Sequence, residues 1–207
     1  MLTRLMKSPL LRSFCYALLL LSLVLIIRPA YANTVDAKAY VTQIGDKTIA
    51  ILADKSMPQA TKEAKLTDLF TNVIDTDWIA RFVLGRYWNT ANPDQQKRYR
   101  AVYQKFLINS YVPNFRSYTS EKFTVTAVSQ TSPQEYTVQT QIIHPDKPAT
   151  RVDYRLIQVG NVYKVRDIIA EGVSLINTQR SDFGSVAENS GIEGLIKALQ
   201  DKAAAPQ

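Results

Sequence analysis

The sequence predicts an α+β fold in which helices cover an antiparallel sheet of about four strands, with a helical part leading. Three observations carry this. Apolar residues recur near helical spacing up to the region of Ser117, the period becomes two from Ser120, and helical spacing returns after Gly172.

The first residues lie outside that fold. Arg4, Lys7 and Arg12 precede an apolar run from Phe14 to Ile27, and the stretch closes on Ala30-Tyr31-Ala32. This is the layout of a secretory signal peptide over residues 1–32, cleaved before Asn33. The run falls short of the roughly 20 residues that a spanning helix needs. Cys15, the only cysteine, sits inside it, so the mature chain uses neither disulfides nor thiol ligands although its compartment would permit them. The leader also holds four basic residues and no acidic one, so its loss takes the formal charge from +7 to +3. A nucleic-acid partner is therefore not expected. Residues 33–207 are enough for a single domain, read as helical over 33–119, sheet over 120–170 and helical again over 172–203.

Val41, Ile44, Ile51 and Leu52 mark a first helix, and Leu66, Leu69, Phe70, Val73 and Ile74 a second after Met57-Pro58. A short third helix carries Trp78, Ile79, Phe82 and Val83 on one face and stops at Gly85. Asn92-Pro93-Asp94 then combines a capping side chain, a proline at the first helical position and an acid at the positive end of the dipole. A long helix follows to Tyr111, and Pro113 breaks it. Beyond Ser120, alternating runs through Phe123-Val125-Ala127, Tyr136-Val138-Thr140-Ile142, TRVDYRLIQV and VYKVRDII read as strands. Ser132-Pro133, His144 to Pro148 and Gly160-Asn161 supply the turns, and His144 reads as an exposed loop residue. Ser190-Gly191-Ile192-Glu193 reads as a capping box that opens a last helix.

Catalytic chemistry finds little support. Gly172-Val173-Ser174 lacks the second glycine of a nucleophile elbow, and the chain's single histidine, His144, lies in a turn between strands. Ser174 is expected to begin a helix. One histidine and no mature cysteine leave only scattered carboxylates for a metal, and Asp75 and Asp77 lie where capping is the commoner role. No cofactor is expected. Asp167 is the one carboxylate in an apolar strand, suited either to a base in a pocket or to pairing and capping. What remains is a surplus of aromatic and aliphatic side chains, compatible with a filled core or with a lined groove.

Taken together, Asp77 to Trp88, the Pro93-led helix, Ile169 to Leu175 and Gly191 to Leu195 resemble the MlaC-type periplasmic phospholipid-binding proteins, the toluene-tolerance family. The resemblance spans nearly all of the mature chain in order and is most specific at Val83-Leu84-Gly85 and Glu171-Gly172-Val173-Ser174. It implies an NTF2-like arrangement, helices on a curved sheet with a pocket for acyl chains between them. It implies a non-enzymatic, monomeric carrier that moves phospholipid between an inner-membrane Mla-type ABC transporter complex and an outer-membrane lipoprotein–porin complex, maintaining outer-membrane lipid asymmetry.

Period and apolarity then assign a pocket wall. The helices give Phe82, Val83, Tyr103, Phe106, Leu107 and Tyr111; the strands give Val125, Val138, Ile142, Tyr154, Leu156 and Val165; Val173 and Leu175 form the far corner. Arg151, Arg166 and Lys122 are the available head-group cations. Three rivals stand beside this reading: a hopanoid-associated carrier of the same family, an enzyme using Asp167 as base, and an interaction domain with a filled core.

Overall fold

In the computed structural model the described residues are 31–117 and 120–204. The expected leader therefore lies almost wholly outside them. Helix α1 (Tyr31–Ala53) is followed by α2 (Gln59–Val73), α3 (Thr76–Leu84), the single turn α4 (Tyr87–Thr90) and α5 (Pro93–Tyr111). A 3-10 segment (Val112–Ser117) leads to strands β1 (Lys122–Ser132), β2 (Glu135–Ile143), β3 (Thr150–Val159), β4 (Val162–Ala170) and β5 (Val173–Ser174), and α6 (Leu175–Ala204) completes the order.

The sheet is an antiparallel meander in chain order, five strands rather than about four. The extra strand is the two-residue β5, too short to leave an alternation in the sequence. Register shifts interrupt β1 between Val125 and Ala127 and again between Gln130 and Ser132, and another falls between Arg155 and Leu156 of β3. Each such bulge sharpens the local twist, which bends the sheet. Beyond β5, the outer edge of β4 is covered where Ile74 bridges Val165 and the Asp75 N–H donates to the Val165 carbonyl at 2.9 Å.

Local chemistry explains the helix ends. Asn92 and Gln95 form the reciprocal capping box of α5, with Pro93 behind the cap. Gly85 ends α3 at φ 57, ψ −127, a conformation that costs a side-chain-bearing residue strain. Asp75 stands at the start of α3 but does not cap it. Its carboxylate instead takes a 2.8 Å hydrogen bond from Arg166, whose guanidinium lies over the Trp78 ring. His144 is not exposed as expected: its imidazole is half-buried, bonded to Thr150 at 3.1 Å and 3.5 Å from Glu121, because the turn folds back onto the strand ends.

The chain does break at Gly191 (φ 66, ψ −178) within α6, as a new helix start requires. Glu193 nevertheless does not reach back to Ser190. Its carboxylate is held across the helix interface by Arg98 and by Gln95 of α5. These bonds, Arg98 first and Gln95 second, pull the Glu193 carboxyl down from its ordinary 4.5 to about 2. A depressed folded-state pKa stabilises the fold above the ordinary value, so this contribution is present above pH 4.5 and fades as the pH falls toward 2. Glu193→Gln is expected to flatten the fall of Tm across that window. An unchanged acid limb in thermal melts would mean that solvent screens the pair to no effect.

Candidate functional site

The apolar stripe of α5, Tyr99, Val102, Tyr103 and Leu107, is buried at helical spacing and joins the same core cluster as Val83 of α3 and Val138 of β2, with Tyr103 set against Phe183 of α6. Cross-strand register places all six expected strand residues on one sheet face. Val138 stands opposite Val128 and Tyr154, Leu156 opposite Tyr136 and Val165, Val125 opposite Thr140, and Ile142 opposite Phe123.

Val83, Tyr103, Leu107, Val138, Leu156 and Val165 are all buried in one apolar cluster, with Phe82, Phe106, Tyr111, Val125 and Tyr154 packed against it. Desolvation pushes the Tyr154 hydroxyl of this half-buried ring up to about 12. Ile142 and Leu175 are half-buried at the margins. Val173 is not gathered with the rest. It is 57 % exposed, because the Glu171-Gly172 turn puts it on the short edge strand β5 with its side chain in solvent.

Side chains of the helices and of the sheet pack into one apolar cluster. A depression of about 430 Å³ on α1 and another of about 240 Å³ beside the 3-10 segment lie elsewhere, and neither is lined by an expected wall residue.

Several contributors carry weaker sequence signals. Phe183 of α6 meets Tyr103 and Phe106 edge-on, at centroid separations of 6.2 and 5.5 Å. Tyr163 bridges Tyr40 of α1 and Tyr136 of β2, each at 5.5 Å. Gly45 lets α1 lie directly on β1: a Cβ there would stand 2.3 Å from the Phe123 ring. A glycine within a helical pattern is the sequence mark of such an approach.

One polar feature crosses this interior. Tyr103 donates its hydroxyl proton to Gln179 Oε1 at 2.6 Å, and Gln179 Nε2 donates to the Tyr111 hydroxyl at 3.1 Å. Tyr99, stacked on Tyr103 at 5.6 Å, has a fully buried hydroxyl with no hydrogen-bond partner. Gln179 was legible as a polar residue in the apolar stripe Ile176, Gln179, Phe183, Ala187 of α6.

Ser174 and Asp167 take structural roles. Ser174 Oγ donates to Asp167 Oδ2 at 2.7 Å and accepts from the Asn177 N–H at 3.3 Å, so it caps α6 as a strand-to-helix corner should. Asp167 Oδ1 lies 3.4 Å from the Ile176 nitrogen, and Arg155 stands 3.5 Å from Oδ2. Both oxygens are thus committed. Among the head-group cations, Arg151 is bound to Asp153 and Arg166 to Asp75, while Lys122 is exposed at the start of β1.

This fold and sequence match known proteins. The family model described as MlaC protein covers residues 42–201. Toluene tolerance protein ttg2D of Pseudomonas putida is 24% identical over 66% of this chain and 64% of its own length. The intermembrane phospholipid transport system binding protein MlaC of Haemophilus influenzae is 22% identical over 64% of each. The matched region thus spans about 64% of the length of these relatives. A solved phospholipid-binding protein from Ralstonia solanacearum, in complex with a phospholipid, superposes with a TM-score of 0.72 at 23% identity, over 81% of this chain and 97% of that one. A family model matching residues 42–201 places the chain plainly: it belongs to the MlaC family.

Proposed function

We propose that this chain is a periplasmic phospholipid carrier. The observation that carries the reading is the convergence of helix and sheet side chains, from α3, α5, β2, β3 and β4, on one apolar interior in a chain of this family. The Pseudomonas and Haemophilus relatives bear transport and tolerance names, and the Ralstonia protein was solved with a phospholipid. By this reading the lipid enters the apolar interior that the helices and the sheet form together. It is collected from and delivered to an inner-membrane Mla-type ABC transporter complex and an outer-membrane lipoprotein–porin complex, which supports outer-membrane asymmetry. The chain performs no covalent step.

Energetics require an enclosed site. Each methylene exposed to water costs about 0.8 kcal/mol, so a roughly 16-carbon chain in the open would cost on the order of 12 kcal/mol. A carrier must hide nearly all of it. Its affinity must also stay comparable to the bilayer's, or it would fail either to extract or to release, and layers that part on docking with a partner complex meet both demands.

The test is to express the chain with its leader, recover it from the periplasm, and compare native with denaturing mass spectra and an organic extract. The expected denatured mass is that of a chain beginning at Asn33, with a native excess of one or two phospholipids. A sterol-like or hopanoid lipid in the extract would reassign the ligand. Lipid-free protein that also takes no phospholipid from vesicles would overturn the carrier reading in favour of a filled interaction domain.

A further inference from the structure

We propose that Tyr99, Tyr103, Gln179 and Tyr111 form a polar subsite for the ester carbonyl groups of a diacyl glycerolipid, so that the protein selects ester-linked lipids. The inference rests on the carrier reading and deepens it. It starts from counting hydrogens. The Tyr103 proton is used on Gln179, and one Gln179 amide hydrogen is used on Tyr111. That leaves the Tyr111 proton, the second amide hydrogen and, on the ring stacked against Tyr103 at 5.6 Å, the Tyr99 proton as unused donors.

Tyr99 is decisive among them. Tyr111 is half-buried and can turn its proton to water, but the Tyr99 residue is 0 % exposed and its oxygen has no partner. A buried polar group without a partner is costly, and its persistence calls for an occupant that supplies the missing acceptor. A purely structural ladder would be complete at Tyr103, Gln179 and Tyr111 and would gain nothing from a hydroxyl at Tyr99. Desolvation raises the Tyr103 hydroxyl well above its ordinary pKa, and the Tyr99 and Tyr111 oxygens raise it further, which places the three phenols within electrostatic reach of one another.

The chemistry of the spare groups narrows the occupant. A row of donors in an apolar wall of Phe106 and Phe183 fits a neutral group that only accepts. Ester carbonyls are such groups, and a diacyl lipid carries them where head group and chains meet. A phosphate or carboxylate would bring charge into surroundings that penalise it. A hydrocarbon or sterol-like skeleton would leave Tyr99 as it is.

The experiment incubates the mature protein with vesicles of dioleoyl phosphatidylglycerol, or of its diether counterpart with the same chains, and measures the lipid transferred. Ether oxygens are weaker acceptors than ester carbonyls. Wild-type protein is expected to prefer the diester by about tenfold, roughly the worth of one well-made hydrogen bond. Tyr99→Phe is expected to bring that ratio close to one by weakening diester uptake alone, and to raise Tm by removing the partnerless hydroxyl. Should Tyr99→Phe not fold, Tyr111→Phe repeats the ratio test. A wild-type ratio near one, or a ratio unmoved by either variant, overturns the subsite while leaving the carrier reading intact. Uptake of neither lipid overturns the carrier reading and the subsite with it. Displacement of the diester by equimolar oleate in wild type but not in Tyr99→Phe would make the occupant a free acyl carboxylate, and the ester assignment would fall.

Discussion

Replacing Asp167 by alanine is expected to lower the unfolding free energy by about 2–3 kcal/mol. The side chain is 1% exposed and serves the corner between β4 and α6 with both oxygens. Its Oδ2 takes the Ser174 hydroxyl at 2.7 Å, which fixes the rotamer in which Ser174 caps Asn177, and Oδ1 faces the Ile176 nitrogen at the positive end of the helix. Removal leaves those donors without their acceptor and releases the capping serine. Arg155 adds little to the sum, because its own side chain is 54% exposed and water replaces the lost partner. Chemical denaturation of wild type and Asp167→Ala measures the difference, with Asp167→Asn expected to recover part of it through the remaining amide oxygen. A loss under about 1 kcal/mol would mean that the corner is held by the apolar contacts of Ile176 alone. Lipid binding in the same variant is expected to fall only slightly, because Leu175, between Ser174 and Ile176, is the one half-buried wall residue in the turn that this carboxylate holds.

That corner also shows how far the sequence reaches. A Gly-Val-Ser segment without a second glycine reads as a turn into a helix, and the structure confirms it because the information is local: the cap, the turn and the first helical residues are neighbours in the chain. The same holds for α5, announced by Asn92-Pro93-Asp94, and for β3, whose alternation marks Thr150–Val159 at both ends. Legibility fails where a residue's partner lies far along the chain. Glu193 has the spacing of a capping box, yet Arg98 of α5 binds its carboxylate, and a bidentate guanidinium outcompetes a backbone N–H. Asp75 likewise leaves its helix for Arg166. The single turn α4 and the two-residue β5 are too short to carry a period. Within the apolar interior, spacing finds the buried Tyr103, Leu107 and Val138, because burial imposes the pattern. It misplaces Val173, since an edge strand of two residues buries neither face, and it passes over Tyr99, whose ring obeys the stripe while its hydroxyl departs from it.

Val138→Trp is expected to reduce phospholipid uptake by about tenfold or more, equivalent to at least about 1.4 kcal/mol of lost binding. Val138 lies on the central part of β2, fully buried on the sheet face that shares one apolar cluster with residues of α3 and α5. An indole there extends from the sheet into the apolar cluster and occupies the volume that acyl chains would need once the layers separate. The same substitution distinguishes a carrier from a filled core by its effect on stability. In a core that never opens, the added atoms must displace neighbours, and overpacking of that kind costs about 1–3 kcal/mol. In a carrier whose layers part, the indole takes the place of lipid, and the protein retains most of its stability while it loses uptake. Asp167→Ala is the stability control, since it loses as much stability as an overpacked Val138→Trp, or more, without placing any bulk in the apolar interior. Uptake lost in Val138→Trp but kept in Asp167→Ala assigns the loss to occupied space. Equal loss in both would trace it to destabilisation, and full uptake by Val138→Trp would move the acyl chains away from this face of the sheet.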